Sequence, residues 1–532
     1  MTRPLLPALG ALFLLSLLVG LPGDPGRVLG PSHLALSPDL ALALAAACLA
    51  GMGAPRGRRA LALALLLWLV VLVRLADLVA QLVTGRPFEP GFDLVLLPSL
   101  WSVLTAGASG AALGIGLLAG LALLFLAVWS GVRATGRVLA EPPARRLVLP
   151  GLATLAVVQG LLSWAGSPWL PFHTWDSGIA AVLRDQGARL AHAADLRAGI
   201  ARALAQDPVA AIPADSLLAS LRGRHVIVVW VESYGLSALA DPRHGPTVAA
   251  RLERMGDTLA QAGFHQASGL VASPVLGGRS WLAHGTFRAG IRQDQPAAQG
   301  AVLASGRQGL AHAFRRAGWH TAAAMPGLLN PWPEGALWGF DRVLRRPDFP
   351  YPGPAFGWSP VPDQAVLASL GPLGALGHRP TYLEVVLTSS HAPWTPEPPW
   401  LDAAAGLGDG SAYADADLTP DYAGMAGAYA RTLDYSLRAV TEWLATTAPA
   451  DSLVLVLGDH PALGWIAAPP AEKPTAVPLH VLSRDKALVE AARRDWALSP
   501  GLLPPATAPA LPMEDMLERF LGTFSAPGTP AS

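Results

Sequence analysis

The first 165 residues leave this chain few options, because apolar stretches at 5–21, 33–52, 60–83, 111–132 and 147–164 each come close to the roughly 20 residues that cross a bilayer as a helix. The pattern predicts a bundle of about five transmembrane helices at the front. With 52% hydrophobic and only 14% charged residues, the whole chain is more apolar than ordinary soluble proteins. Residues 5–21 follow Arg3 as a signal peptide would, but no small-x-small cleavage site follows and further spans do, so they read as a retained anchor. The shorter stretch 93–106, interrupted by Pro98, reads as interfacial or re-entrant.

Arginines orient the bundle. Arg56, Arg58 and Arg59 lie between the second and third spans, and Arg133, Arg137, Arg145 and Arg146 between the fourth and fifth. Arg-rich loops stay cytoplasmic, and both do so only if the amino terminus is inside. Five spans then place everything after Trp164 outside, in the periplasm or at the outer face of a bacterial inner membrane. With one cysteine, Cys48, no intramolecular disulfide can form there. Arg74 and Asp77 share a face of the third span; charges at that depth pair, mark a pathway or snorkel to the interface.

After the membrane segment, residues 166–223 read as a connector of short amphipathic helices, 224–503 as a catalytic domain, and 504–532 as a terminal helix (513–524) with a loose tail. Within 224–503 strand patterns at 225–231, 320, 382–387, 453–458 and 475–482 alternate with helix patterns at 248–262, around 280, at 308–317 and along Leu433, Leu437, Val440 and Leu444. Such alternation predicts an α/β domain on a mainly parallel central sheet. Net charge is zero, and no basic patch with interleaved aromatics points to nucleic acid.

Chemistry collects at strand ends. The run 453–458 ends in Asp459 and His460, an oxygen and an imidazole donor where the backbone opens into a loop, as a divalent metal requires. Alone, such a pair is as often a capped turn. Partners strengthen it: Glu232 follows the β-branched run 225–231, on the edge where α/β sheets gather ligands. Ser280 follows Gly277, Gly278 and Arg279 and opens a helical pattern, which would set a nucleophilic hydroxyl at a positive helix end. His391 follows the strand 382–387.

This order of Glu, Gly-rich Ser, His and Asp-His resembles the alkaline phosphatase and sulfatase superfamily, and most closely its membrane-anchored branch of lipoteichoic acid synthases and phosphoethanolamine or phosphoglycerol transferases. The resemblance covers about 224–485 and the membrane architecture. It implies an alkaline-phosphatase-like fold, with Glu232, Asp459, His460 and Ser280 as ligands of manganese or zinc, Ser280 also as nucleophile, and His391 as a catalytic and substrate contact. Trp332 and the segment Trp338-Gly-Phe-Asp341 fall near substrate-pocket positions. Two departures stand out. The branch usually has Thr where this chain has Ser280, and the sulfatase motif Cys/Ser-x-Pro-x-Arg is missing, since Trp281, Leu282 and Ala283 follow.

Arg279 can clamp a phosphate, although an exposed loop arginine is the plainer reading. His284, four residues after Ser280, can reach the same pocket or be simply buried or on the surface. Trp332, Trp338 and Trp394 serve a cleft or the core, and His480, inside a strand, reads as structural. The implied activity is transfer of a phospholipid headgroup to an extracytoplasmic glycan or lipid through a covalent Ser280 intermediate. Two alternatives are a membrane-tethered hydrolase of phosphate or sulfate esters and a catalytically silent ligand-binding membrane protein.

Overall fold

The computed structural model describes residues 57–84, 110–139 and 179–526, apart from 372–373, 377–378, 403–405 and 408, together with a few isolated residues near the front of the chain. It falls into two compact units, Met1–Leu196 and Arg197–Ser532.

In the first unit, helices α1 (Arg58–Thr84) and α2 (Gly110–Leu139) contain segments long and apolar enough to cross a membrane, Arg58–Gln81 and Ala112–Arg137, both with mean hydropathy 2.4. One stripe of each is buried, with Ala64, Leu67 and Val71 against Val128 and Val132. The remaining faces expose Leu65, Leu69, Ile115, Leu118 and Leu123, surface that lipid would cover at far lower cost than water. The proposed spans at 5–21, 33–52 and 147–164 and the segment 93–106 lie wholly or largely outside the described residues. Arg74 and Asp77 are both buried, but each faces the helix Ile179–Leu204 rather than the other. Arg189 Nη1 donates to Asp77 Oδ1 at 2.8 Å, and Arg74 lies 4.0 Å from Asp185.

The second unit is built on nine strands: β1 (His225–Val231), β2 (His265–Ala272), β3 (His320–Met325), β4 (Arg342–Arg345), β5 (Thr381–Leu387), β6 (Ser452–Gly458), β7 (Ala476–Ser483), β8 (Ser499–Pro500) and β9 (Ala510–Pro512). Their order is β4-β3-β5-β1-β6-β7-β2-β8, with β9 on β2. The sheet is mainly parallel, as the alternation predicts, and becomes antiparallel toward one side. β4, β3, β5, β1 and β6 run parallel, whereas β7 turns antiparallel to β6, and β2 and β8 continue antiparallel.

The central strands are buried on both faces, so their sequences read as unbroken apolar runs. Successive side chains point to opposite faces. Ile227, Val229 and Val231 enter one core with helices α3 (Gly245–Gln261) and α5 (Met425–Thr446). Val226, Val228 and Trp230 enter the other with α4 (Ser280–Ala289) and α6 (Met516–Phe524). Leu217, Leu218 and Leu221, before the first strand, and Met516, Phe520 and Phe524, after the last, are buried in that second core.

Register sets the functional edge. Val231 pairs with Leu387 on one side and with Gly458 on the other. Three parallel strands therefore stop at one level, and the next residues, Glu232, Thr388 and Asp459, emerge side by side. Gly458 permits this, because a Cβ there would run into the Tyr234 carbonyl oxygen and Tyr234 backbone. Gly458→Ala is accordingly expected to cost about 1–3 kcal/mol or more through overpacking, seen as a lower melting temperature of the purified chain; an unchanged melting curve would contradict the close approach.

Candidate active site

Ser280 is delivered by a turn in which Gly277, Gly278 and Arg279 all have positive φ (65°, 126° and 62°). This is easy for glycine and uncommon for arginine. The Gly277 N–H donates to the Pro461 carbonyl at 3.1 Å, which ties the serine loop to the loop that follows His460. Ser280 is then the first residue of α4, at the end where unpaired N–H groups and the helix dipole favour anions.

The side chains expected to meet do meet. Ser280 Oγ lies 3.2 and 3.1 Å from the two Glu232 carboxylate oxygens and 3.3 Å from His460 Nε2. His460 Nε2 is 3.1 Å from Glu232 Oε1 and 3.7 Å from Asp459 Oδ2. Glu232, Asp459 and His460 are all buried and offer ligand atoms within 4.8 Å of one another.

Their backbones are fastened from several directions. Asp459 Oδ1 accepts from the N–H groups of Ser233 (2.8 Å) and His460 (2.7 Å). Ser390 Oγ donates to the Glu232 carbonyl, Ser273 Oγ to the Asp459 carbonyl (each 2.6 Å) and Tyr429 Oη to the Ser233 carbonyl (2.8 Å). Buried Asp363 accepts from the Thr388 and Ser389 N–H groups at 2.9 and 3.0 Å, fixing the loop that leads to His391. None of these four supports was singled out from sequence.

Electrostatically the cluster is short of positive charge. Burial pushes the Asp459 carboxyl up, the Glu232 charge beside it adds to the push, and together they bring it to about 7. Burial acts to lower His460, but Asp459 and Glu232 overcome it and raise the imidazole to about 9. Burial would also raise Glu232, yet the hydrogen bond from His460 and the nearby His391 hold it well below the usual carboxylate range. Asp459 Oδ2 is buried without a hydrogen-bond partner. A partnerless oxygen, two converging carboxylates and an imidazole make a donor set that suits a divalent cation. His460 Nδ1 lies 2.9 Å from the Pro461 carbonyl; because a carbonyl only accepts, Nδ1 carries the proton and Nε2 faces the cluster, the usual support of a metal-binding histidine.

The remaining expected residues lie around this centre. His391 is half-buried, stacks on Trp358 (5.4 Å between centroids) and donates from Nδ1 to the Ala392 carbonyl at 2.6 Å, leaving Nε2 to give or take a proton. His284 is buried one helical turn after Ser280, with its ring 4.3 Å from that of Trp230. Burial and then the Arg288 charge push it well below its usual value. His284 and Trp332 both line a pocket of about 290 Å³ with Trp281, Trp338, Arg288 and Glu334. Arg279 turns instead toward the Asp294 carbonyl, 3.5 Å away. Trp394 is buried against Tyr429, and His480 is buried 3.1 Å from Tyr234 Oη.

Residues 282–476 match the family model described as Sulfatase. No curated protein matches the chain. Among solved structures, the chain is similar to the integral membrane lipooligosaccharide phosphoethanolamine transferase EptA from Neisseria meningitidis, at 15% identity over 98% of this chain and 95% of that one, with a TM-score of 0.47. It is similar to the lipoteichoic acid synthase LtaP from Listeria monocytogenes (15% identity, 51% of this chain, 67% of that one, TM-score 0.35). A third likeness is to the Streptococcus pyogenes phosphoglycerol transferase GacH (14% identity, 64% of this chain, 88% of that one, TM-score 0.36).

Proposed function

We propose that the chain is a metal-dependent membrane phosphotransferase that moves a phospholipid headgroup, phosphoglycerol or phosphoethanolamine, through a covalent bond to Ser280 and on to an extracytoplasmic glycan or lipid. The observation that carries this reading is the position of Ser280 Oγ, at the amino end of α4 and 3.1–3.3 Å from Glu232 Oε2 and His460 Nε2. The sulfatase-family match supports ester chemistry at phosphorus or sulfur. Phosphorus is favoured because Trp281, Leu282 and Ala283 replace the formylglycine motif. The two apolar helices support a lipid donor, whose diacylglycerol part can stay in the bilayer throughout.

A divalent metal, manganese or zinc, held by Glu232, Asp459, His460 and Ser280 Oγ would lower the pKa of the serine hydroxyl and offset charge on the phosphoryl oxygens. The chain itself supplies positioning and proton transfer. In the first step Ser280 Oγ bonds to phosphorus, the ester bond to diacylglycerol breaks, and the departing oxygen takes a proton from His391 Nε2. The Ser280 proton passes toward the Glu232 carboxylate that already accepts its hydrogen bond. In the second step an acceptor hydroxyl loses its proton to His391 Nε2 as its oxygen bonds to phosphorus, and the Ser280 oxygen leaves and regains its proton from Glu232. The N–H groups at the start of α4 face the equatorial charge in both steps.

Mass spectrometry on protein purified from its own membrane tests this reading, with Ser280→Ala as control. A phosphoglycerol or phosphoethanolamine adduct on the Ser280 peptide, lost in the variant, is the expected result. A bare serine beside stoichiometric metal would turn the reading toward a hydrolase, and a bare serine without metal toward a silent binding protein.

A further inference from the structure

The pocket beside Ser280 has a charge that the transfer chemistry does not use. It starts on the nucleophile's own helix, where His284 shares a face with Ser280 four residues away, and runs to Trp332 and Trp338. Two charged residues line it. Arg288 is spoken for: its Nε lies 3.0 Å from both Glu384 oxygens and its Nη2 2.7 Å from Oε2, so the pair is neutral. Glu334 is the other. It is half-buried at the rim, is the one carboxylate among the lining residues, and has no ion-pair partner among the described residues. The pocket therefore has a net negative charge and a wall of three indoles, Trp281, Trp332 and Trp338.

Resting on the headgroup-transferase reading, we propose that this pocket binds the ammonium group of the donor headgroup, with Glu334 as the specificity residue, and that the enzyme uses ethanolamine-type headgroups in preference to glycerol. Indole faces attract ammonium ions; the Arg288 guanidinium already lies over the Trp332 and Trp338 rings, which leaves Trp281 as the indole for the ammonium, and the unpaired carboxylate adds a charge-assisted hydrogen bond. Neutral glycerol hydroxyls can donate hydrogen bonds to Glu334 but bring no positive charge to the carboxylate or to the indole face. The ammonium of ethanolamine lies two carbons beyond its ester oxygen, and the cavity is lined by Trp281 and His284, one and four residues after Ser280 on the same helix. No bond is made or broken at Glu334; it selects.

The test uses the full chain in nanodiscs containing phosphatidylethanolamine and phosphatidylglycerol in equal amounts, with the Ser280 adducts weighed by mass spectrometry. The phosphoethanolamine adduct is expected to exceed the phosphoglycerol adduct by about tenfold or more. Glu334→Gln should reduce that ratio about tenfold, Glu334→Lys should invert it, and Glu334→Asp should largely retain it. Equal adducts in the native chain, or a ratio indifferent to Glu334→Gln in a variant that melts normally, overturns the assignment. If neither lipid gives an adduct, the transferase reading itself falls. Selectivity is then measured by titrating the full chain with O-phosphoethanolamine and with glycerol phosphate. Tighter binding of the former that weakens in Glu334→Gln supports the ammonium site, and equal affinities overturn it.

Discussion

Asp459→Asn is expected to make the metal-free protein more stable and to leave it almost indifferent to added metal. In the native chain Asp459 is raised from 3.8 to about 7 by burial and the Glu232 charge, so its ionisation works against the fold. An acid bound more tightly to its proton in the folded state loses stability as pH climbs from the unfolded value to the folded one. His460, raised from 6.5 to about 9, gives stability that is complete below its unfolded value and lost as pH rises through the folded one. Both run the same way. The low-lying Glu232 carboxylate stays ionised throughout this window.

Chelated native protein should therefore melt at progressively lower temperature from about pH 4 to about pH 9, by an amount on the order of a few kcal/mol. Metal should oppose this trend, because binding requires deprotonated ligands and strengthens with pH. In Asp459→Asn the amide oxygen can keep the bonds from Ser233 and His460, and the amide nitrogen can donate toward Glu232 in place of a repelling oxygen. Metal affinity should fall by more than about a hundredfold, since even groups behind a ligand are worth about 10–100-fold. Melting curves with chelator, manganese and zinc across pH decide the matter; native protein whose stability ignores both metal and pH would remove the case for a cation at this cluster.

What could be read in the sequence divides along one physical line. β1, β5 and β6 are covered on both faces, so each is written as a continuous apolar run, and the chemistry at their ends is marked by the abrupt change to Glu232, to Ser389 through His391, and to Asp459. β2 carries no such mark. It begins with His265 and Gln266, contains Ser268 and Gly269, and needs Gly269 because a Cβ there would press on Leu498. β4 is only Arg342-Val-Leu-Arg345. The antiparallel turn at β7 was equally hidden, since burial pattern does not report strand direction. At the site, donor atoms were legible but their supports were not. Ser273, Ser390 and Tyr429 reach carbonyls 158 to 196 residues away, and Asp363 looks like any acid at a helix start. At the membrane end, apolar length was legible, and two of the spans correspond to described helices.

Removing either partner of the Arg288–Glu384 pair is expected to cost about 3–5 kcal/mol, the usual cost of stranding a buried charge. Both side chains are essentially inaccessible (2% and 0% exposed). Glu384 accepts from Arg288 at both oxygens, from Tyr382 Oη at 2.8 Å and from Trp230 Nε1 at 3.1 Å, while the guanidinium carbon lies 5.2–5.8 Å from the rings of Phe340, Trp332 and Trp338. Arg288→Met leaves a buried carboxylate with two neutral donors; Glu384→Leu leaves a buried cation with aromatic faces alone. The double variant strands neither charge, only the Tyr382 and Trp230 donors, at about 1–3 kcal/mol each. Its loss should thus fall short of the summed single losses by at least about 2 kcal/mol, measured as a double-mutant cycle of denaturation curves. Additive losses would mean that the two residues act independently. The pair sits beneath the indoles of the pocket and on the strand that leads to His391, so a single variant should also weaken donor binding, and the double variant should recover part of it.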